Sequence, residues 1–550
     1  MTPVRRLTVP HAPSDGERQP SPAEAPTTPH PAGHIVIAVA RSELPRLLRR
    51  PLVVFSVGLA VALFWWRLRL DAPVLDRDSV RLVGWFLPVA AATLVAGHGM
   101  ASRSRRGRVA ELLDTLPTSP ERRILGEALA VLGPVVLATV FLGAGMVFLA
   151  TGDPVGDWHW WELATAPLMV LLAGVLGVTL GQWLPNRVTP YLAVVALGYL
   201  QLWAHPHVDW EISEHVGALT PFQQMNLELP YLWQGRSPAA HVGWLVALTA
   251  VLLAVAALRW GRTRWVMATL VVGIGAAVLT GTAAVAAVTE GPSPEIEAHL
   301  DAVRSFEHLA PRPTPEGVYT CHLRETYEVC AVIGYAGWIP RWEATFQRID
   351  RVAPSTIEQI RQSPRWHATT DDATVVPTIE WDRGDSAGSL EFELGLQIAT
   401  RAMTSSETFP AGDDEDWHVC SFAGEARAAV MLWLAAHDAP GVAEELERRV
   451  GQARSAVWYE VAEDGTQHIV DSSGDLWIGM ESSRMSLVVP DGELALAMLD
   501  LPLDEVRRTV RDDLQRWQEP AVSGADLAAA LGLPPPEPVT DPGPHAERCP

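Results

Sequence analysis

The stretch LVGWFLPVAAATLVAGHGMA, residues 82–101, carries no Asp, Glu, Arg or Lys over its 20 residues. A helix rises about 1.5 Å per residue, so this length matches the roughly 30 Å hydrocarbon core of a bilayer. Because lipid offers no hydrogen-bond partners, a helix that satisfies its own backbone is the structure expected there. The stretch therefore predicts a membrane-spanning helix.

Six further apolar stretches surround this one and predict a polytopic membrane domain. The seven candidates are residues 52–66, 82–101, 128–150, 163–184, 188–203, 239–258 and 265–289. The first and fifth are short for a full crossing, so the sequence predicts six to seven spans. The expected fold class is a polytopic α-helical membrane domain over residues 52–289. A soluble α+β domain, mainly helical, is expected over residues 290–535.

The distribution of arginine predicts the orientation, because short cytoplasmic loops accumulate positive charge. Arginines cluster between the second and third candidates and between the sixth and seventh: Arg103, Arg105, Arg106, Arg108, Arg122, Arg123, Arg259, Arg262 and Arg264. Segment 151–162 has no arginine and segment 204–238 has only Arg236. Segment 67–81 disagrees, with four arginines beside three aspartates. The majority predicts a multi-pass protein of the cell membrane with a cytoplasmic amino terminus and an extracytoplasmic carboxyl-terminal domain.

Composition sets further limits on the class of protein. Residues 1–33 mix Pro, His, Ser, Thr and Ala without an apolar period, and we expect them, like residues 536–550, to be disordered. The chain contains no lysine, so its 42 basic residues are all arginine. Residues 290–550 hold 46 acidic and 20 basic residues, which argues against nucleic acid as a partner and favours a solvated domain.

The cysteines all follow residue 290, on the side where disulfides persist. They are Cys321, Cys330, Cys420 and Cys549. The pattern over residues 317–333 predicts two alternating strands that turn near residue 325, a register that brings Cys321 opposite Cys330. We predict that these two residues pair; two free buried thiols are the alternative.

The segment ELLDTLPTSPERRILGEALA, residues 111–130, lies in the predicted cytoplasmic loop before the third candidate span. Its leucines lie on one side of a short helix that ends at Pro117. Ser119 is expected to cap the next helix, with Pro120 at its first position. A partner that gripped such a short apolar-faced helix would push on two spans at once. A connector packed against its own bundle is the alternative.

This pattern resembles the cytoplasmic loop of the type-2 ABC exporter permeases. The approach to the first span, RSELPRLLRRP at residues 41–51, is similar to the amphipathic elbow helix of that family, here residues 34–51. The resemblance covers roughly residues 35–290. It implies a coupling element formed by Glu111, Leu112, Leu113, Leu116, Pro117, Ser119 and Pro120, and an elbow that includes Glu43, Leu44, Leu47 and Leu48.

The resemblance implies a permease-like subunit that works as a homo- or heterodimer and couples through loop 102–127 to an ABC-type ATP-binding subunit. Three features depart from the family pattern: Glu127 stands where a basic residue is common, a seventh span is possible, and a large domain follows residue 290. A P-loop needs a lysine, which the chain lacks. ATP hydrolysis is therefore expected on a separately encoded partner, and no cofactor in this chain.

Other functional classes have weaker support in the sequence. No HExxH zinc-peptidase motif occurs, and we expect no enzymatic activity. His98 and Gln182 are the polar residues within the candidate spans that stand out, and His98 either takes part in transport or reaches the interface. A membrane-anchored extracytoplasmic sensor or interaction protein remains the alternative function, with a membrane-bound hydrolase third.

Overall fold

The structure is a computed structural model, and it describes most of the chain in segments. These are residues 32–68, 73–103, 119–152, 154–204, 215–223, 231, 235–290, 319–362, 374–375, 387–404, 419–455, 458–461, 467–470, 485–539 and 546–548. Helix predominates among them, with small sheets confined to the carboxyl-terminal half. The tail expected at residues 1–33 lies outside the described residues up to position 31.

The amino-terminal half consists of ten helices within the described segments. They are α1 (Ala32–Leu48), α2 (Pro51–Leu68), α3 (Leu75–Gly84), α4 (Leu87–Ala101), α5 (Pro120–Ala130), α6 (Leu132–Ala150), α7 (Trp160–Trp183), α8 (Thr189–Trp203), α9 (Pro238–Leu258) and α10 (Arg264–Glu290). Proline lies at the first or second position of α5, α8 and α9, where its missing N–H leaves no hydrogen bond unmade.

Five helical segments are long and apolar enough to cross a membrane: Leu75–Ala101, Pro120–Ala150, Trp160–Trp183, Pro238–Leu258 and Arg264–Thr289. The pair α1 and α2 adds a sixth if it is counted as one bent unit, with 61° between its two parts. The stretch predicted at residues 188–203 forms α8, which has only 15 residues and falls short of this length. Within the described residues, the structure thus supports a polytopic helical domain with five to six candidate spans, and six agrees with the lower predicted number.

Glycines allow α4 and α7 to pack closely, because side chains there would meet backbone. A Cβ at Gly97 would lie 2.7 Å from the carbonyl oxygen of Gly174, and one at Gly181 would lie 2.8 Å from the carbonyl oxygen of His98. The small-residue spacing at Gly177 and Gly181 is therefore a packing feature of this helix pair.

The carboxyl-terminal half is α+β, with helices in the majority. Its helices are α11 (Ile339–Asp350), α12 (Ala387–Met403), α13 (Ala426–Ala436), α14 (Pro440–Ser455), α15 (Val489–Leu499), α16 (Leu503–Asp512), α17 (Leu514–Trp517) and α18 (Gly524–Ala530). Its strands are β1 (Tyr319–Leu323), β2 (Glu328–Val332), β3 (Gln359–Arg361), β4 (Thr374–Val375), β5 (Val419–Ser421), β6 (Trp458–Val461), β7 (Gln467–Val470), β8 (Met485–Ser486) and β9 (Ala546–Arg548).

The strands form three sheets. One has the order β1-β2-β3-β4, with β1 antiparallel to β2 and the other pairs parallel. The second is parallel with the order β8-β5-β9, so three residues of the tail expected at 536–550 are a strand in the structure. β6 and β7 form a hairpin. Cys420 lies in β5, before α13 begins at Ala426.

The core of this domain surrounds α13, whose eleven residues are all buried. Arg348 from α11 satisfies the end of that helix, because its guanidinium donates to the carbonyl oxygens of Leu434, Ala435 and His437 at 2.9, 2.9 and 2.7 Å. The predicted hairpin and disulfide are confirmed: Cys321 lies opposite Cys330 in the register of β1 and β2, and the two are bonded.

Candidate functional site: polar networks at the two ends of the helix bundle

Helix α1 packs against α5 and the start of α6 through two glycines. A Cβ at Gly126 would lie 2.7 Å from the Cβ of Val39, and one at Gly133 would clash with the Leu44 side chain. Leu47 is buried in the same contact, in a cluster with Ile124. The predicted elbow residues thus lie in a helix that packs on the helices following residue 119, α5 and α6. Its position on the inner membrane surface stays a prediction.

Most of the predicted coupling element lies outside the described residues, namely Glu111, Leu112, Leu113, Leu116 and Pro117. Ser119 and Pro120 are described and take the positions expected of them, before and at the start of α5. The Ser119 side chain makes no capping hydrogen bond to the helix, so its predicted capping contact is not formed.

Ion pairs hold the residues that flank the loop 104–118. Before it, Arg103 donates to Glu43 of α1 at 3.3 Å, and Glu43 also accepts a hydrogen bond from Arg46 at 2.9 Å. After it, Arg123 lies 3.4 Å from the carboxylate of Glu127, one turn further along α5. Arg103 is therefore tied to α1 across the bundle, whereas the Arg123–Glu127 pair lies within α5.

Glu127 extends this network into the bundle. It is buried, and its second oxygen accepts a hydrogen bond from Gln182 of α7 at 3.1 Å. Gln182 in turn accepts from the indole N–H of Trp260, just after α9, at 3.3 Å. The acidic residue at position 127, a departure from the family pattern, thus joins three helices. His98 lies 3.0 Å from the carbonyl oxygen of Leu184 and is buried, so it joins α4 to the end of α7. We call these contacts the loop-end network.

A second set of charges lies at the opposite end of the bundle, and we call it the outer cluster. Its members are Asp76, His159, Glu162, Tyr231 and Arg236. The ring of His159 lies 2.6 Å from the carboxylate of Asp76 and stacks on Tyr231 with centroids 3.7 Å apart. The Tyr231 hydroxyl donates to Glu162 at 3.1 Å, and Arg236 pairs with the same oxygen at 2.8 Å.

Local structure explains why acidic residues occupy these positions. Asp76 and Glu162 lie in the first turns of α3 and α7, where the helix dipole and unpaired N–H groups favour negative charge. Burial raises the pKa of Tyr231, and the neighbouring Glu162 adds to the effect, so this hydroxyl keeps its proton and acts as a donor. The outer cluster thus joins the starts of α3 and α7 to the segment before α9.

The carboxyl-terminal domain rests directly on this end of the bundle, at a contact that we call the domain junction. Val74 and Val155 form a β-bridge and lie in the same apolar core as β2, and the N–H of Leu75 donates to the carbonyl oxygen of Val155 at 2.8 Å. Gly337 of the domain lies against Val155: a Cβ there would be 3.6 Å from the Cβ of Val155.

Two glycines with positive φ, Gly156 at 88° and Gly334 at 93°, bring the loops together around Asp76. A Cβ at Gly156 would clash with the Asp76 carboxylate and lie 3.0 Å from the carbonyl oxygen of Gly334. A Cβ at Gly334 would lie 3.2 Å from the same carboxylate. Only glycine fits both the backbone conformation and the space at position 156. The domain is therefore seated on the bundle as well as connected to it by the chain.

Sequence reasoning did not find the outer cluster, although one signal was present. Arg236 is the single arginine of segment 204–238, and Glu162 begins an apolar stretch.

Another feature missed by sequence reasoning is a motif, GDSAG at residues 384–388, which has the GxSxG form of a nucleophile elbow. Residues 384–386 lie outside the described residues, and Gly388 packs tightly against the backbone of Gly441. The described residues show no catalytic arrangement around this motif. The expectation that the chain has no enzymatic activity stays a prediction.

No family model, curated protein or solved structure matches the chain. The functional conclusion therefore depends on the geometry of the loop-end network, the outer cluster and the domain junction.

Proposed function

We propose that the chain is the membrane subunit of an ABC-type exporter, coupled through loop 102–127 to a separately encoded ATP-binding subunit. The observation that carries the proposal is the set of contacts at the two ends of this loop. Arg103 near its start binds Glu43 of α1, and Glu127 at its end pairs with Arg123 of the same helix and accepts a hydrogen bond from Gln182 of α7. A partner that moved this loop would act at once on α1, α4 and α5, as a coupling element must.

One span joins the loop to the domain junction. The segment Leu75–Ala101 begins beside Asp76 in the junction and is followed at its other end by Arg103. At about 1.5 Å per residue its 27 residues extend roughly 40 Å. A displacement of the loop would therefore pass along this span to the carboxyl-terminal domain.

The domain junction supports this proposal over the alternative of a membrane-anchored sensor or interaction protein. A span that served only as an anchor would need no contact with the domain that it presents. Here the apolar core of the domain includes Val74 and Val155 from the bundle. We propose that the domain moves with α3 and α7 during transport, on the extracytoplasmic side of the cell membrane, and that two such subunits assemble as a homo- or heterodimer.

Co-purification with an ATP-binding protein tests the proposal. A tagged wild-type chain, solubilised from its native membrane, should retain an ATP-binding subunit, and Leu113→Asp with Leu116→Asp should lose it. Gly126→Leu should weaken the association because its side chain displaces α1 at Val39. Gly143→Leu is the matched control, since nothing lies within 4 Å of a Cβ there. Wild type without such a partner, or equal retention by all variants, would contradict the proposal.

A further inference from the structure

The disulfide hairpin carries a third side chain that can bind a metal. The Sγ atoms of Cys321 and Cys330 and a carboxylate oxygen of Glu328 all lie within 4.8 Å of one another. Glu328 and Cys330 are two residues apart on β2, so their side chains share a face, and Cys321 lies opposite Cys330 on β1. Two sulfurs and one carboxylate are a donor set that suits zinc.

The hairpin holds this carboxylate in place and leaves Cys321 exposed, while Cys330 is buried. Gln359 of β3 donates to one oxygen of Glu328 at 2.9 Å, a contact of the kind that orients metal ligands. β1 is an edge strand, and Cys321 is exposed to solvent. Five register pairs join β1 to β2, so the hairpin has a framework besides its disulfide.

We propose that reduction of Cys321–Cys330 by an extracytoplasmic dithiol converts this hairpin into a Zn²⁺ site with Glu328 as the third ligand. A thiolate of the reductant attacks the exposed sulfur of Cys321, and the Cys330 thiolate leaves. The second thiol of the reductant then resolves the mixed disulfide, so the reductant ends as a disulfide and the hairpin as two thiols. Zn²⁺ replaces the two thiol protons, and water takes the fourth position on the exposed side.

The geometry of the reduced hairpin accommodates the metal. With Zn–S bonds of about 2.3 Å, tetrahedral coordination sets two sulfurs about 3.8 Å apart, a separation that rotation of the exposed Cys321 side chain supplies. The charged group facing the site is Arg361, which lies opposite Cys330 in the parallel register and stacks over Tyr319 at 4.7 Å.

The site lies close to the domain junction along the chain. β2 ends at Val332, and Gly334 in the following turn contacts Asp76. Metal binding at Cys330 would therefore act on the strand that leads into the junction. This inference does not depend on the exporter proposal, because zinc uptake is measured without a transport partner.

Zinc titration of the full-length protein in detergent tests the site. The protein is reduced, freed of reductant without oxygen, and titrated with Zn²⁺ against a chromophoric chelator. Reduced wild type should bind one additional Zn²⁺ per chain relative to oxidised wild type. Cys321→Ser should abolish this difference, and Glu328→Gln, which keeps both cysteines, should weaken it on the order of tenfold. With Co²⁺ as the probe, thiolate-to-metal charge-transfer absorption should appear in the reduced wild type only.

Two control variants separate this site from other thiols and histidines. His322→Ala changes the neighbour of Cys321 on the opposite strand face, and Cys549→Ser removes a cysteine at the carboxyl terminus; both should keep the redox-dependent zinc. Equal zinc uptake by oxidised and reduced wild type would overturn the proposal. Redox-dependent zinc uptake that persists in Cys321→Ser would also overturn it. The same holds if Glu328→Gln, with its disulfide intact before reduction, binds zinc as tightly as the wild type.

Discussion

The two ends of the span Leu75–Ala101 hold charge in different ways. At the loop end, Arg103 and Arg46 reach Glu43 with side chains that are 47% and 61% exposed. In the outer cluster, Glu162 and Arg236 are 3% and 5% exposed, and a methyl group at Gly156 in the junction beside them would clash with the Asp76 carboxylate. Exposed ion pairs contribute little to stability, whereas removing one partner of a buried pair is strongly destabilising. Arg103, which leads from the span into loop 104–118, is thus held by an exposed pair, and the start of the span lies beside a buried one.

The largest expected effect of this difference is on stability. Arg236→Ala removes the positive partner of the buried Glu162 carboxylate, which keeps the Tyr231 hydroxyl as a donor, so the free energy of unfolding should fall by about 3–5 kcal/mol. Arg46→Ala at the loop end should change it by about 0–1 kcal/mol. Thermal unfolding in detergent measures both, and similar losses for the two variants would remove the contrast.

Substitution of a glycine in the domain junction tests how tightly the carboxyl-terminal domain packs against the bundle. Gly156→Ala combines backbone strain at positive φ with a clash against Asp76, and should cost about 2–3 kcal/mol. Gly532→Ala is the matched control, because its φ is also positive, at 68°, but nothing lies within 4 Å of a Cβ. It should cost about 1 kcal/mol, from strain alone. Equal costs would show that the contact with Asp76 contributes nothing.

A feature of this molecule can be predicted from the sequence alone when the residues that form it are close together in the chain. Apolar stretches and the Cys321–Cys330 hairpin are local patterns. The hairpin was predicted correctly, and the predicted six to seven spans overlap the five to six candidates of the structure. The outer cluster brings together residues as far apart as Asp76, His159 and Arg236, and no single-segment pattern indicates that they meet. The approach of Gly334 to Asp76 at the domain junction could not be predicted for the same reason. Helix α8 forms at one of the two stretches that were noted as short for a full crossing, and its 15 residues fall below the length of a span.

A pH dependence should belong to the carboxyl-terminal domain. Burial raises the pKa of Asp491 to about 8 from 3.8, although its carboxylate accepts from the N–H groups of Val488 and Gly424. Between pH 3.8 and about 8, Asp491 therefore keeps a proton in the folded protein that it loses in the unfolded chain. The stability that this protonated group contributes is complete below pH 3.8 and is lost as the pH rises to about 8. Burial lowers the pKa of His437 to about 4, which gives the opposite slope below pH 6.5.

The net fall should therefore be visible between pH 6.5 and 8, where it amounts to about 2 kcal/mol. Asp491→Asn should flatten this part of the curve. Denaturant unfolding of the full chain at several pH values, followed by a probe in the carboxyl-terminal domain, measures the slope. A wild-type slope that Asp491→Asn leaves unchanged would assign the titration to another group.

The smallest expected change in stability accompanies a change in function at the loop end. Arg103→Ala should alter the free energy of unfolding by about 1 kcal/mol or less, because the pair with Glu43 is partly exposed. It should nevertheless reduce the recovery of the ATP-binding subunit, because the loop loses its tie to α1. The ratio of the two proteins after co-purification measures this effect. A stable variant with unchanged recovery would show that the pair is not part of coupling.

The carboxyl-terminal domain packs against the segments around Val74 and Val155 at one end of the helix bundle. A cysteine pair, Val155→Cys with Gly337→Cys, tests it directly, because a Cβ at position 337 would lie 3.6 Å from the Cβ of residue 155, within the range for a disulfide. We expect a disulfide-linked peptide containing both positions in the protein from unreduced membranes, alongside the native Cys321–Cys330 pair. Two freely alkylated thiols at positions 155 and 337, with the native disulfide intact, would contradict it.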